Sequence, residues 1–209
     1  MKNKYIFDLD GTLINGDYSK EKEYFKSILT TSDSEKFIPQ ISKLLEQYES
    51  KHKRYDINLL AEFLSHKSHV KITPNMIEGW IEINQDMDGT VIDGVVEVLE
   101  ELKMRDKELV VLTNWFSKTQ IERLKNSKLD IYFDEVYGGE LFLKPNKNAY
   151  INACGYTPIE LSIMIGDTYE KDYLGPKRIG LDSILYDPEC KVSESKDVVK
   201  NLRKIKDIY

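Results

Sequence analysis

Cysteine is scarce in this sequence: Cys154 and Cys190 are the only two among 209 residues, and no metal-ligand spacing surrounds them. That excludes a disulfide framework and a cysteine-based zinc module. Reduced thiols in a cytoplasm are the expected state, with a single disulfide in an exported protein as the alternative. Histidine is limited to His52, His66 and His69, all in a polar helical stretch. His66 and His69 could share a helix face, but surface positions are expected. Long hydrophobic runs are missing. Nothing approaches the roughly 20 apolar residues of a membrane-crossing helix. The opening "MKNKYIFDLD" turns acidic before an apolar signal-peptide core could form, so no signal peptide and a cytoplasmic location are expected. Positive charge is in deficit, with 30 Lys and Arg against 36 Asp and Glu and a net charge of −6. That argues against nucleic acid or an anionic membrane as partner. No glycine-rich loop ends in Gly-Lys-Ser/Thr, which excludes a P-loop nucleotide hydrolase.

What is present is a folded globular composition, 41% hydrophobic and 32% charged, long enough for one large domain or a domain carrying an insertion. Residues 4–9 read as a first strand. From Ser19 to about Gln85 no strand pattern occurs. Segments such as "KEYFKSIL" and "INLLAEFL" instead space apolar residues by three and four, as amphipathic helices do. Asp56 is placed to cap one helix, and Thr73-Pro74 to start another. In "MDGT" at 87–90, Asp88-Gly89 reads as a turn leaving the cap, and beyond "MDGTVIDG" the pattern becomes alternating helix and short apolar strand. The expected elements are a helix at 94–104, a strand at 108–113, a helix capped by Ser117, and a strand near "EVYG". A helix after Pro145 follows, then strands at 161–165 and 183–186 and a last helix over roughly 193–206. This order predicts an α/β fold: a Rossmann-like parallel sheet with helices on both faces, plus a small all-α cap. The core is expected over 1–15 and 89–209, and the cap over 16–88, with "NGDY" at 15–18 as the hinge.

Polar residues gather where the apolar strands end. "YIFDLDGTL" brings Asp8 and Asp10 to the end of the first strand, on one face, where two carboxylates repel unless a cation joins them. "VVLTN" ends in Thr113 and Asn114, "LFLKPN" supplies Lys144, and "IMIGDTYEKD" supplies Asp167 and Asp172. In a parallel sheet these ends converge on one crevice. Aspartate oxygens suit a hard cation such as Mg²⁺, and a lysine, a hydroxyl and helix starts suit a phosphate.

In this set and order the motifs resemble those of the haloacid dehalogenase superfamily, along the whole chain. "DLDGTL", Thr113, Lys144 and "GDTYEKD" look like its first to fourth motifs, and the helical block sits where the family inserts one type of cap. The resemblance implies Asp8 as nucleophile, Asp10 as general acid and base, and Mg²⁺ held by Asp8, the Asp10 carbonyl and Asp167. It implies that Thr113, Asn114 and Lys144 grip the phosphoryl group and that Asp172 orients Lys144 or a metal-bound water. Asp10 marks a leaving oxygen that needs a proton, as in a phosphatase or phosphomutase rather than a dehalogenase. A Mg²⁺-dependent phosphatase of a small phosphorylated metabolite is therefore expected. The alternatives are a phosphomutase of the beta-phosphoglucomutase type and a non-catalytic binder of the same fold. Pro176 and Lys147 depart from the family pattern without removing a catalytic group. Trp115 is expected to pack core against cap, with substrate contact as the alternative; Asp17 and Tyr18 are candidate substrate contacts. The cap helices could bury one another or a second subunit.

Overall fold

Side chains that alternate along one central strand serve two separate cores. The computed structural model describes residues 2–192 and 195–205. β1 (Lys4–Phe7) is followed by the short β2 (Ile14–Gly16) and five helices: α1 (Ser19–Ile28), α2 (Thr31–Phe37), α3 (Ile41–Lys51), α4 (Ile57–Ser68) and α5 (Pro74–Ile83). The chain returns through β3 (Gly89–Val91), which pairs antiparallel with β2. Alternation follows: α6 (Val95–Met104), β4 (Glu108–Leu112), α7 (Ser117–Asn126), β5 (Glu135–Tyr137), α8 (Lys147–Cys154), β6 (Ser162–Gly166), β7 (Asp182–Tyr186) and β8 (Val198–Val199). The sheet order is β5-β4-β1-β6-β7-β8, with every neighbouring pair parallel. The α/β, Rossmann-like architecture expected from the sequence is the one observed.

Tyr5 and Phe7 of β1, Leu109 and Val111 of β4, and Ile163 and Ile165 of β6 join one hydrophobic cluster with α6. Ile6, Val110, Leu112 and Met164 face the other way and pack on α8. The two-residue period of a strand produces that division, and burial on both faces is why these strands are apolar without interruption. The helices between 19 and 83 build a third core around Phe25, Tyr48, Leu60 and Trp80, which Phe116 and Leu143 extend from below. Backbone bonds from Tyr55 N–H to the Gly139 carbonyl and from Leu143 N–H to the Lys53 carbonyl, both 2.7 Å, tie this bundle to the sheet's loops.

The caps at Asp56 and Thr73 are as expected: Asp56 accepts from Asn58 and Leu59 N–H, and Thr73 from Met76 N–H. Three expectations need correction. "MDGT" is not a bare turn, because Gly89–Val91 is a strand that zips onto Ile14–Gly16, so the insertion leaves and returns by a two-stranded ribbon. Ser117 is not the cap of α7 but its first residue. Its N–H and hydroxyl both donate to Glu140, an acceptor from across the fold that local sequence does not reveal. The last helix is replaced, within residues 195–205, by β8 and a 3₁₀ turn at Leu202–Lys204. Val198 and Val199 bury against β7 at the sheet edge, and tertiary packing overrides the amphipathic pattern. Positions 193, 194 and 206 lie outside the described residues. Both cysteines are free, Cys154 buried and Cys190 exposed. No helix of the described residues is long and apolar enough to cross a membrane.

Candidate active site

Asp8 follows the central strand directly, at the position where the connections diverge to β4 on one side and β6 on the other. Its N–H bonds the Ile165 carbonyl at 2.8 Å, so the pairing with β6 continues one residue past β1 and fixes the carboxylate at the sheet's carboxyl edge. Chain reversal begins at once, with Leu13 and Ile14 N–H both donating to the Leu9 carbonyl. Gly11 takes φ +76° in this turn. A Cβ there would stand 2.3 Å from Asp167 Oδ2, so glycine serves both the left-handed backbone and the close approach of β6's acid.

Lys144 is the hub of the buried charge. Its side chain is only 2% exposed, and Nζ lies 2.7 Å from Asp8 Oδ1 and 2.7 Å from Asp172 Oδ1. Asp172 is wholly buried, and its second oxygen accepts from Thr168 N–H at 3.0 Å. A buried ion pair is tolerated only when hydrogen bonds complete it, and here both partners are completed. Burial pushes the Asp8, Asp167 and Asp172 carboxyls upward, Asp167 to about 6. Lys144 pulls the other way on all three, and its own value is raised by Asp172 and Asp8, which outweigh its desolvation. Of the alternatives left open for Asp172, the one seen is contact with Lys144.

Among the described residues, Asp8, Asp167 and Asp172 bring one carboxylate oxygen each within 4.8 Å of one another. Asp10 lies outside this trio. Its carboxylate is gripped by Arg123, with Nη2 at 2.7 Å and Nη1 at 3.0 Å, and by Gln120 Nε2 at 3.1 Å. Tyr18 adds its hydroxyl at 3.4 Å. Gln120 also donates to Thr113 Oγ1 at 3.0 Å, so one amide links the ends of β1 and β4. The Asn114 side chain ties the loop carrying Lys144 to the bundle. Its Oδ1 accepts from Lys144 N–H at 2.7 Å, and its amide donates to the Lys144 carbonyl and to Glu49 of α3. The Lys144–Pro145 peptide is cis. Glu49 further accepts from Lys171 at 2.5 Å and from the Tyr55 hydroxyl at 2.8 Å.

The predicted catalytic, metal-binding and phosphate-binding residues thus converge, and a cleft of about 300 Å³ opens over them between sheet and helical bundle. Asp8, Asp10, Thr113, Asn114, Lys144 and Asp167 line it, while Asp172 sits behind Lys144. Trp115 lines the cleft too and packs on Tyr55 and Trp80, so it joins core to bundle as expected. Asp17 instead accepts from Ser19 N–H at the start of α1. Gln120, Arg123 and Glu49 were not anticipated. The signal was faint: Gln120 and Arg123 stand three apart on a largely polar helix, Gln120 one turn into α7.

A profile of the haloacid dehalogenase-like hydrolases matches residues 5–186, which is most of the chain. The chain belongs to this family. It is 28% identical over 125 residues to the HAD-hydrolase YfnB of Bacillus subtilis, covering 57% of this chain and 53% of that protein. It is 30% identical over 106 residues to the pyrimidine 5'-nucleotidase PynA of Streptococcus pneumoniae, covering 48% and 44%. In both alignments the chain spans about half the length of the curated relative. A magnesium-bound crystal structure of YfnB superposes with a TM-score of 0.74 at 21% identity, covering 99% of this chain and 98% of that one. The fold is therefore that of the haloacid dehalogenase-like hydrolases.

Proposed function

We propose that this member of the haloacid dehalogenase-like family is a Mg²⁺-dependent phosphatase acting on a small phosphorylated metabolite through an aspartyl-phosphate on Asp8. The observation that carries the reading is the Lys144 ammonium, set between Asp8 and Asp172 beside Asp167 at the carboxyl edge of the sheet. The relatives named as a pyrimidine 5'-nucleotidase and a glyceraldehyde 3-phosphate phosphatase support it.

The donor set fits a hard divalent cation. Lys144 takes one oxygen of Asp8 and one of Asp172, and Thr168 N–H takes the other oxygen of Asp172. The second oxygen of Asp8 and Oδ2 of Asp167 remain, Oδ1 of Asp167 accepting from the Thr168 hydroxyl at 3.3 Å, and Gly11 leaves room beside Asp167 Oδ2. Asp8, Asp167 and the Asp10 carbonyl would hold Mg²⁺, whose charge would offset that of the phosphoryl oxygens.

The protein's own groups then divide the work. Lys144 fixes the Asp8 rotamer through Oδ1, and the Asp8 carboxylate attacks phosphorus in line with the departing oxygen. Lys144, the Thr113 hydroxyl and the Asn114 N–H stabilise charge on the transferring group. Asp10 protonates the leaving oxygen and then takes the proton of the water that cleaves the aspartyl-phosphate. Arg123 and Gln120 keep Asp10 aimed into the cleft. Residues 16–88 serve as the cap over a core of 1–15 and 89–209, excluding bulk water from the reaction.

Phosphate release from p-nitrophenyl phosphate and a panel of metabolite phosphates, with MgCl₂ or with EDTA, tests the proposal. Mg²⁺-dependent release that Asp8→Asn abolishes supports it. Release unaffected by EDTA or by that substitution sinks it.

A further inference from the structure

The cations of the cleft are all spoken for. Five carboxylates line it, Asp8, Asp10, Glu21, Glu49 and Asp167, against three cations, Arg123, Lys144 and Lys171. Arg123 is closed on Asp10 at 2.7 Å, Lys144 on Asp8 and Asp172 at 2.7 Å, and Lys171 on Glu49 at 2.5 Å. Asp8 and Asp167 belong to the reacting end. The wall away from it presents Glu21 and Glu49 beside the half-buried ring of Trp115, and Lys22 stands in the adjoining pocket that both acids also line.

Glu21 differs from the other acids. Among the described residues no ion pair involves it. Its carboxylate accepts from Trp80 Nε1 at 2.7 Å and from the Asn84 amide, both neutral donors. Burial pushes its carboxyl upward, and those two bonds together with the more distant Lys22 charge offset the rise only in part. A carboxylate offers about four acceptor positions, so two remain for a ligand. Trp80 is buried beneath Trp115, their ring centroids 4.8 Å apart, so the half-buried Trp115 ring is the apolar wall next to this acceptor. Such a wall favours a flat face or an ammonium group. Inside the cleft, a second phosphate or a carboxylate on the substrate would have to break one of the three ion pairs or face Glu21 and Glu49 at low dielectric, because Lys22 lines the adjoining pocket and not the cleft itself.

We infer that the substrate is a phosphate monoester whose leaving group bears no second anionic group, offers N–H or O–H donors from a partly apolar body, and is selected by Glu21. This rests on the phosphatase reading above. Glu21 is a specificity determinant here and takes no part in the bond changes.

Matched pairs of monophosphates test it, phosphoethanolamine against phosphoglycolate and cytidine monophosphate against 3-phosphoglycerate. The wild type should favour the first of each pair by about tenfold or more in kcat/KM. Glu21→Gln should narrow that ratio, and Glu21→Lys should invert it, raising the rate on phosphoglycolate while lowering it on phosphoethanolamine. Equal wild-type rates within a pair, or a ratio that Glu21→Lys leaves alone, would overturn the inference. The same pairs titrated calorimetrically into Asp8→Asn protein with MgCl₂ separate selection from turnover. Preference in binding without any wild-type turnover removes the phosphatase reading and leaves the selectivity standing. Equal or undetectable binding of both members overturns the selectivity itself.

Discussion

Lys144 and Asp172 form a 2.7 Å ion pair that is sealed from solvent on both sides, and the same ammonium reaches Asp8 at 2.7 Å. Removing one partner of such a pair leaves an uncompensated buried charge. Lys144→Ala should cost about 3–5 kcal/mol in metal-free protein at pH 7.5, read from urea unfolding. Protonating the stranded acids relieves the penalty, so the loss should shrink at pH 5. A loss below about 1 kcal/mol, typical of exposed pairs, would contradict the buried geometry.

Asp167 links stability to pH. Burial and the nearby Asp8 raise its carboxyl from 3.8 to about 6, so the folded protein binds a proton that the unfolded chain releases. The stability this gives is complete below the unfolded value and is lost as pH rises through about 6. At pH 7.5 the metal-free fold is strained by that charge. Asp167→Asn should raise the metal-free Tm by roughly 2–4 °C and abolish the further rise expected of MgCl₂ with the wild type. A thermal scan with and without metal checks both halves.

Gly11→Ala tests the cradle. The left-handed φ and the 2.3 Å approach to Asp167 Oδ2 both oppose a Cβ. Calorimetric Mg²⁺ affinity should fall by at least about tenfold, more than the effect of a similar change at an exposed glycine such as Gly155.

Arg123 acts through Asp10. Arg123→Met frees the Asp10 carboxylate to swing, and the first chemical step should slow by about 10–100-fold on an alkyl phosphate. p-Nitrophenyl phosphate, whose leaving group needs little protonation, should suffer much less in single-turnover kinetics. Equal losses on both substrates would make Arg123 a purely structural residue.

Tyr18 and Trp115 line the cleft at its bundle side. Changing either to Ala should shift relative kcat/KM across a substrate panel while leaving Mg²⁺ affinity nearly constant. Uniform kinetics across the panel would remove them from substrate recognition.

The sheet was legible because its strands are buried on both faces and so read as unbroken apolar runs that end in polar residues. Asp8, Thr113, Lys144 and Asp167 were legible for the same reason, since each stands just past such a run or in a loop beside one. Glu49 and Glu21 were not, because on helices α1 and α3 they look like ordinary solvated acids until tertiary packing aims them at the cleft. Glu140 escaped too, since it serves the start of α7 from a loop distant in sequence. The segment before residue 206 misled because a two-residue edge strand has little pattern of its own, and its apolar residues fit a helix equally well.

Asp8 carries the central claim, and mass spectrometry of an acid-quenched turnover mixture addresses it directly. With MgCl₂ and a hydrolysed substrate, the peptide containing Asp8 should gain the mass of one phosphoryl group. That gain should disappear in Asp8→Asn and increase when Asp10→Asn slows hydrolysis of the intermediate. Turnover with no phosphorylated peptide at any quench time, in either wild type or Asp10→Asn, would contradict the account.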